Sequence, residues 1–170
     1  DAFRNTAAQA LGTAARHHRL VTVGIVPSRP DTGFGYIVPG NALDDTARTV
    51  ARFAEKPDAA TALDLMASGA LWNSGLFAWS AETLLEEVAR HTPELSSHLG
   101  RLTNGDVAGF FASVTAISID VGVLERSNAV AVVPGRFTWD DVGTWDALPR
   151  VRKRDAHGNV RIAEVNIGEI

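Results

Sequence analysis

The sequence predicts an α/β fold, a mixed and mainly parallel sheet flanked by helices, and three observations predict it. The run Leu20-Val21-Thr22-Val23-Gly24-Ile25-Val26 is short, β-branched and stopped by Pro27, as expected of a strand buried on both faces. A helical pattern leads directly into it, and strands and helices then alternate along the chain with no internal repeat or low-complexity linker. The 170 residues are 45% apolar and 21% charged, enough to bury the core of one domain and unlike a disordered chain.

Each element has its own local signal. Phe3, Ala7, Ala10, Leu11 and Ala14 recur at helical spacing, which predicts an amphipathic helix over about residues 2–18. After the first strand, Pro30-Asp31-Thr32-Gly33-Phe34-Gly35-Tyr36-Ile37 is a turn-rich approach to a short strand, and Ala47–Phe53 alternates like the next. Ala59, Ala62, Leu63 and Met66 share a helical face, with Asp58 placed to cap its start and Gly69 its end. Trp72–Trp79 reads as a strand. Ser80 is an N-cap for a helix with the stripe Ala81, Leu84, Leu85 and Val88, and Thr92-Pro93-Glu94 opens another with proline in its first turn. Residues 107–114 add a turn or two, Ala116–Asp120 reads as strand into helix, Ala129–Val133 as strand, and Trp145–Val151 as a closing helix.

Composition narrows the function classes. A net charge of -4 leaves no basic face for a polyanion, and the cluster Arg150–Arg154 is short and followed by Asp155, so nucleic acid is not an expected partner. Without cysteine there is no disulfide framework, thiolate nucleophile or sulfur-ligated zinc, which suits a cytoplasmic protein. No apolar run approaches the ~20 residues of a membrane span, and the first residues resemble no signal peptide. The chain starts with Asp rather than Met, directly in a helical pattern, and stops where a strand is starting near residues 164–168. It reads as a piece of a longer protein.

All four tryptophans fall in Trp72-Asn73-Ser74-Gly75-Leu76-Phe77-Ala78-Trp79 and Trp139-Asp140-Asp141-Val142-Gly143-Thr144-Trp145. Aromatics joined to an amide or carboxylate and a glycine have the composition of a ligand wall. Glu55-Lys56-Pro57 follows an apolar strand, where ligands of open α/β sheets gather, and offers a carboxylate for hydroxyls and an ammonium for a phosphate. Taken alone the tripeptide describes a solvated pair at least as well. Asn73 can donate to one sugar oxygen and accept from another, while Gly75 lets a ligand approach the backbone. Gly33-Phe34-Gly35-Tyr36 lacks the third glycine and the following helix of a dinucleotide fingerprint. Adjacent Asp140 and Asp141 point to opposite faces in extended chain, so they cannot flank one glycosidic bond; a single carboxylate near a phosphate suits magnesium instead. The histidines, His17, His18, His91, His98 and His157, show no ligand spacing and read as surface residues.

In this order the segments resemble the mannose-1-phosphate guanylyltransferases, or GDP-mannose pyrophosphorylases, of the sugar nucleotidyltransferase superfamily. The resemblance rests on Val23–Pro27, Thr32–Ile37, Phe53–Pro57, Trp72–Phe77, Ser118–Glu125 and Trp139–Trp145, and it spans nearly the whole chain. It implies a nucleotide-diphospho-sugar transferase type of fold in which mannose 1-phosphate attacks the α-phosphate of GTP, giving GDP-mannose and pyrophosphate with Mg2+ as cofactor. It further implies that Glu55 and Asn73 hold mannose hydroxyls, that Gly35 lies against the ligand through its backbone, and that Asp120 is a sugar-side contact. By the same resemblance, Lys56 would sit on the sugar phosphate and Asp141 would be one of two metal carboxylates, which makes Lys56 and Asp141 the expected catalytic residues. Such chemistry depends mainly on positioning and charge neutralisation.

The family's opening glycine-rich loop, with the arginine and lysine that grip the triphosphate, and its other metal aspartate have no counterpart in these residues. The expectation is therefore a catalytic domain incomplete at its N-terminal side, with residues 1–155 as its sugar-phosphate portion and 156–170 as the start of an extension. Such a piece is expected to be inactive alone, and unpaired sheet edges would invite self-association. Another sugar-1-phosphate nucleotidyltransferase, using glucose 1-phosphate with UTP or dTTP, and a non-catalytic sugar-phosphate-binding module are the alternatives.

Overall fold

The computed structural model describes residues 1–143 and 145–160. Contacts divide the chain into two compact units, Asp1–Phe137 and Thr138–Ile170. The first opens with helix α1, Ala2–His17, which buries Thr6, Ala10, Thr13 and Ala14 and ends where His18 turns left-handed at φ 50°. Strand β1, Leu20–Ile25, follows with all six residues buried, as its unbroken apolar run requires.

Strands β2, Tyr36–Ala42, and β3, Arg48–Ala54, form an antiparallel hairpin; β4, Leu71–Ala78, and β5, Val130–Pro134, complete the sheet. β1 lies between β4, antiparallel, and β5, parallel. β2 also pairs with β4 and β3 with β5, both antiparallel, so the strands close in the order β1-β4-β2-β3-β5. The expected mainly parallel sheet is therefore corrected: β1 with β5 is the parallel pair among the described strands. The cause is local. The short connection between β2 and β3 is tied by Asp44, whose carboxylate accepts from the N–H groups of Thr46 and Ala47, and a connection that short joins only antiparallel neighbours. Every described strand has a neighbour on both sides, and the two closing contacts are short, Tyr36 and Ile37 of β2 on β4 and Arg48 and Thr49 of β3 on β5.

The core gathers Leu20, Ile37, Phe53, Leu71, Val123, Leu124, Val130 and Val132. Around it, α2, Ala59–Ala67, is capped by the Asp58 carboxylate on the Thr61 N–H, and the chain leaves it through Gly69 at φ 82°. Its buried face runs through Ala62 and Leu65, while Leu63 is exposed. Helix α3, Ala81–His91, is capped by Ser80 on the Thr83 N–H; Leu84 and Val88 pack on the core and Leu85 stays outside. The short helices α4, Pro93–Ser96, α5, Leu99–Thr103, and α6, Val107–Ser113, follow.

The strand expected at Ala116–Asp120 does not form. Residues 115–118 are irregular and lead into a π-helical turn, Asp120–Leu124, that buries Gly122, Val123 and Leu124. This segment reaches the core by coiling, which places Val123 and Leu124 in it.

In the second unit, Trp145–Ala147 forms a 3-10 turn and α7 covers Leu148–Val151, as the expected closing helix. Arg150 grips Asp140 through both carboxylate oxygens, at 2.8 and 2.9 Å. The expected extension at 156–170, and the strand beginning near 164–168, lie largely or wholly outside the described residues. No described helix is long and apolar enough to cross a membrane.

Candidate functional site

The end of β3 and the start of β2 lie side by side, and there the chain gathers its charged groups. Beyond Ala54, Lys56 adopts φ 45°, a left-handed conformation uncommon for a side chain of this kind. Its ammonium donates to Glu55 Oε1 at 2.6 Å. The Glu55 N–H in turn donates to Glu125 Oε1 at 2.9 Å. Gly35 faces this turn so closely that a Cβ there would stand 2.6 Å from Glu55 Oε2 and 3.4 Å from the Asn73 Cβ. A side chain there would push the Glu55 carboxylate out of its present position.

Asn73 enters from β4. Its N–H donates to the Gly35 carbonyl at 2.8 Å, which ties β4 to the segment before β2. Its side-chain Oδ1 accepts from the buried Thr22 hydroxyl at 2.7 Å, and its Nδ2 donates to Asp120 Oδ1 at 3.0 Å. The amide orientation is thus held from both ends. Next to it β4 bulges: Asn73 pairs with Gly24 and Phe77 with Thr22, so residues 74–76 loop out against a single residue of β1. Gly75 makes this possible at φ 71°, and its N–H turns back to Asn73 Oδ1 at 3.3 Å. Bulges of this kind re-aim a side chain.

Burial, and then the nearby Glu55 charge, raise the Asp120 carboxyl above its ordinary range. Lys56 is raised too, through its hydrogen bond to Glu55, the charge of that carboxylate and the more distant charge of Asp120. Glu55 thus holds the ammonium directly, while Asp120 adds a more distant negative charge beside a fixed amide. Acceptors and an amide suit a polyhydroxylated ligand, and a single exposed ammonium suits an anion at its end.

The structure thus brings Gly35, Glu55, Lys56, Asn73 and Asp120 together, with Gly75 beside Asn73. Asp141 lies in the second unit, exposed, next to the Asp140 that Arg150 occupies. Of the first tryptophan segment, Asn73 and Gly75 reach the cluster and the indoles do not. Trp72 is 2% exposed and packs edge-on against Phe34 at 4.9 Å with the Arg29 guanidinium over its ring, so it is interior bulk while the adjacent Asn73 takes the opposite face of the strand. Trp79 stacks on Phe77 against the core. Two partners in the cluster, Thr22 and Glu125, lie in segments the sequence singles out but not as site residues, because their contacts span 51 and 70 positions. Two histidines are also more than surface residues, since His17 meets Asp44 at 3.1 Å and His91 meets Glu87 at 3.2 Å.

Among the described residues, no group of three or more His, Asp or Glu side chains is arranged to hold a metal ion. An exposed carboxylate such as Asp141 fits magnesium in a more limited way, as one protein ligand in a shell otherwise filled by water and substrate phosphate.

Residues 1–158 match the nucleotidyl transferase family model. Over a 175-residue alignment the chain is 38% identical to the xanthan biosynthesis protein XanB of Xanthomonas campestris pv. campestris (strain B100), covering 97% of this chain and 37% of that protein. It is 40% identical to the mannose-1-phosphate guanylyltransferase of Klebsiella pneumoniae over 154 residues, 83% of this chain and 33% of the relative. A crystal structure of mannose-1-phosphate geranyltransferase from Thermus thermophilus superposes with a TM-score of 0.83 at 40% identity, covering 92% of this chain and 46% of the other. The chain spans less than half the length of these relatives.

Proposed function

Because the chain belongs to the nucleotidyl transferase family, we propose that its strand-end cluster is the sugar-phosphate site of a mannose-1-phosphate guanylyltransferase. The observation behind this reading is convergence: Gly35, Glu55 with Lys56, Asn73 and Asp120 come from four separate segments and meet through direct contacts. The names of the relatives supply the sugar and the base. In the reaction, a phosphate oxygen of mannose 1-phosphate forms a bond to the α-phosphorus of GTP, and the bond from that phosphorus to the β-phosphate bridge breaks. GDP-mannose forms and pyrophosphate leaves.

Each residue has a physical task in this scheme. Glu55 and Asp120 accept from sugar hydroxyls, and Asn73, with its amide fixed by Thr22, presents its polar edge to the ring. Gly35 keeps the wall thin enough for the sugar to lie against backbone, and Gly75 holds the bulge that orients Asn73. Lys56 neutralises the sugar phosphate, with Glu55 as its resting partner when the site is empty. Asp141 would contribute one carboxylate to Mg2+, which when bound lowers the charge of the reacting phosphates. Gripping the triphosphate needs groups that these 170 residues do not supply, so the chain alone makes no GDP-mannose.

Calorimetric titration with mannose 1-phosphate, free mannose and glucose 1-phosphate, beside a product assay with GTP and Mg2+, tests this. Mannose 1-phosphate should bind more tightly than either control, with no GDP-mannose formed. Absence of sugar-phosphate binding would remove the site assignment, and product formation would remove the claim of incompleteness.

A further inference from the structure

The π-helical turn has a geometric effect that its length conceals. In an α-helix successive side chains are about 100° apart, so residues five positions apart diverge by about 140°. Here the Glu125 N–H closes onto the Asp120 carbonyl at 2.9 Å, five residues back, and the wider turn brings the two side chains round to one side. Both carboxylates then work at the same strand end. Asp120 accepts from Asn73 Nδ2 at 3.0 Å, and Glu125 accepts from the Glu55 N–H at 2.9 Å. The next residue, Arg126, is pinned to Glu94 at 3.0 Å and to the His91 carbonyl at 2.9 Å, which gives Glu125 a fixed base.

We propose that Glu125 is a positioning residue for the sugar-phosphate site, holding the Glu55–Lys56 turn in its left-handed form so that Lys56 stays at the site. This rests on the reading given under Proposed function. The strain at Lys56, φ 45°, persists only where surrounding structure over-determines it, and the contact from Glu125 fixes the residue immediately before it. Released from Glu125, the turn would relax toward negative φ and carry the ammonium away from Asn73 and Asp120.

Glu125→Ala and Glu125→Gln are compared in this chain by amide hydrogen exchange at Glu55, by mannose 1-phosphate titration and by melting temperature. E125A should speed exchange at Glu55 and weaken mannose 1-phosphate binding, each roughly tenfold, with little change in melting temperature. E125Q keeps a carbonyl oxygen that can accept the same N–H and should retain most of both. Unchanged exchange or unchanged affinity in E125A overturns the proposal, as does an E125Q loss as large as that of E125A. If the parent chain binds no mannose 1-phosphate, the site reading fails, while exchange at Glu55 still decides whether Glu125 holds the turn.

Discussion

The Thr22 hydroxyl donates to Asn73 Oδ1 at 2.7 Å, so a buried residue of β1 decides which way the amide on β4 points. Oδ1 is occupied, and Nδ2 is directed at Asp120. Thr22→Val keeps the shape and removes the donor. It should cost about 1–2 kcal/mol of stability, read by urea denaturation, and weaken sugar-phosphate binding because the amide is then held from the Asp120 side and by the long Gly75 contact alone.

Gly35→Ala forces a methyl group to within 2.6 Å of Glu55 Oε2. The carboxylate must swing away and take the Lys56 partner with it. Calorimetry should show a large loss of mannose 1-phosphate affinity with only a modest fall in melting temperature; unchanged affinity would separate Gly35 from the site.

Lys56 combines charge with an unfavourable backbone, and two substitutions separate them. Lys56→Ala and Lys56→Gly should both lose sugar-phosphate affinity. The glycine variant should be the more stable by about 1–2 kcal/mol, since a left-handed residue costs that much with a Cβ and almost nothing without one. Equal stabilities in denaturant titration would contradict the assigned conformation.

Much of this fold was readable because its signals are local. The Asp58 and Ser80 caps reach only three residues ahead, and the six buried residues of β1 are one uninterrupted run. Strand direction was not readable that way. The parallel reading came from alternation of helices and strands, whereas Asp44 and its turn impose a hairpin between β2 and β3. Ala116–Asp120 reads as strand into helix because apolar spacing alone cannot tell an extended segment from an irregular one that coils into the core. At the site, Glu55, Lys56, Asn73 and Asp120 stood out through family resemblance, and the structure gathers them. The roles of Thr22 and Glu125 were not readable, one inside a strand run and the other at the end of the Ser118–Glu125 block, because their partners lie far along the chain. Trp72 misled: its glycine and amide neighbours serve a bulge and a site that the indole itself does not line.

Acid sensitivity should centre on Asp44. The Arg16 guanidinium, then the Thr46 N–H and hydroxyl, then the His17 ring hold its carboxyl far below the ordinary 3.8. A depressed folded value means stability that is present above 3.8 and lost as pH falls below it toward the folded value. Asp44→Asn should therefore lower the melting temperature at neutral pH and flatten its fall between about pH 5 and about pH 2. An acid limb as steep as that of the parent chain would place the sensitivity elsewhere.

Asp120 runs the opposite way. Burial and the Glu55 charge raise its carboxyl, so the folded state binds the proton more tightly and stability declines as pH rises from 3.8 through the raised value. Asp120→Asn should be more stable than the parent at neutral pH and bind mannose 1-phosphate less well. Stability lost together with affinity would identify a purely structural residue.

The most direct test of the account is an NMR titration of the isotope-labelled chain with mannose 1-phosphate, following backbone amides and the Asn73 side-chain NH2. Saturable shifts concentrated at Gly35, Glu55, Lys56, Asn73 and Asp120, and abolished by K56A, are the expected result. Shifts that fall elsewhere on the surface, or none at all, would contradict a sugar-phosphate site at this strand end.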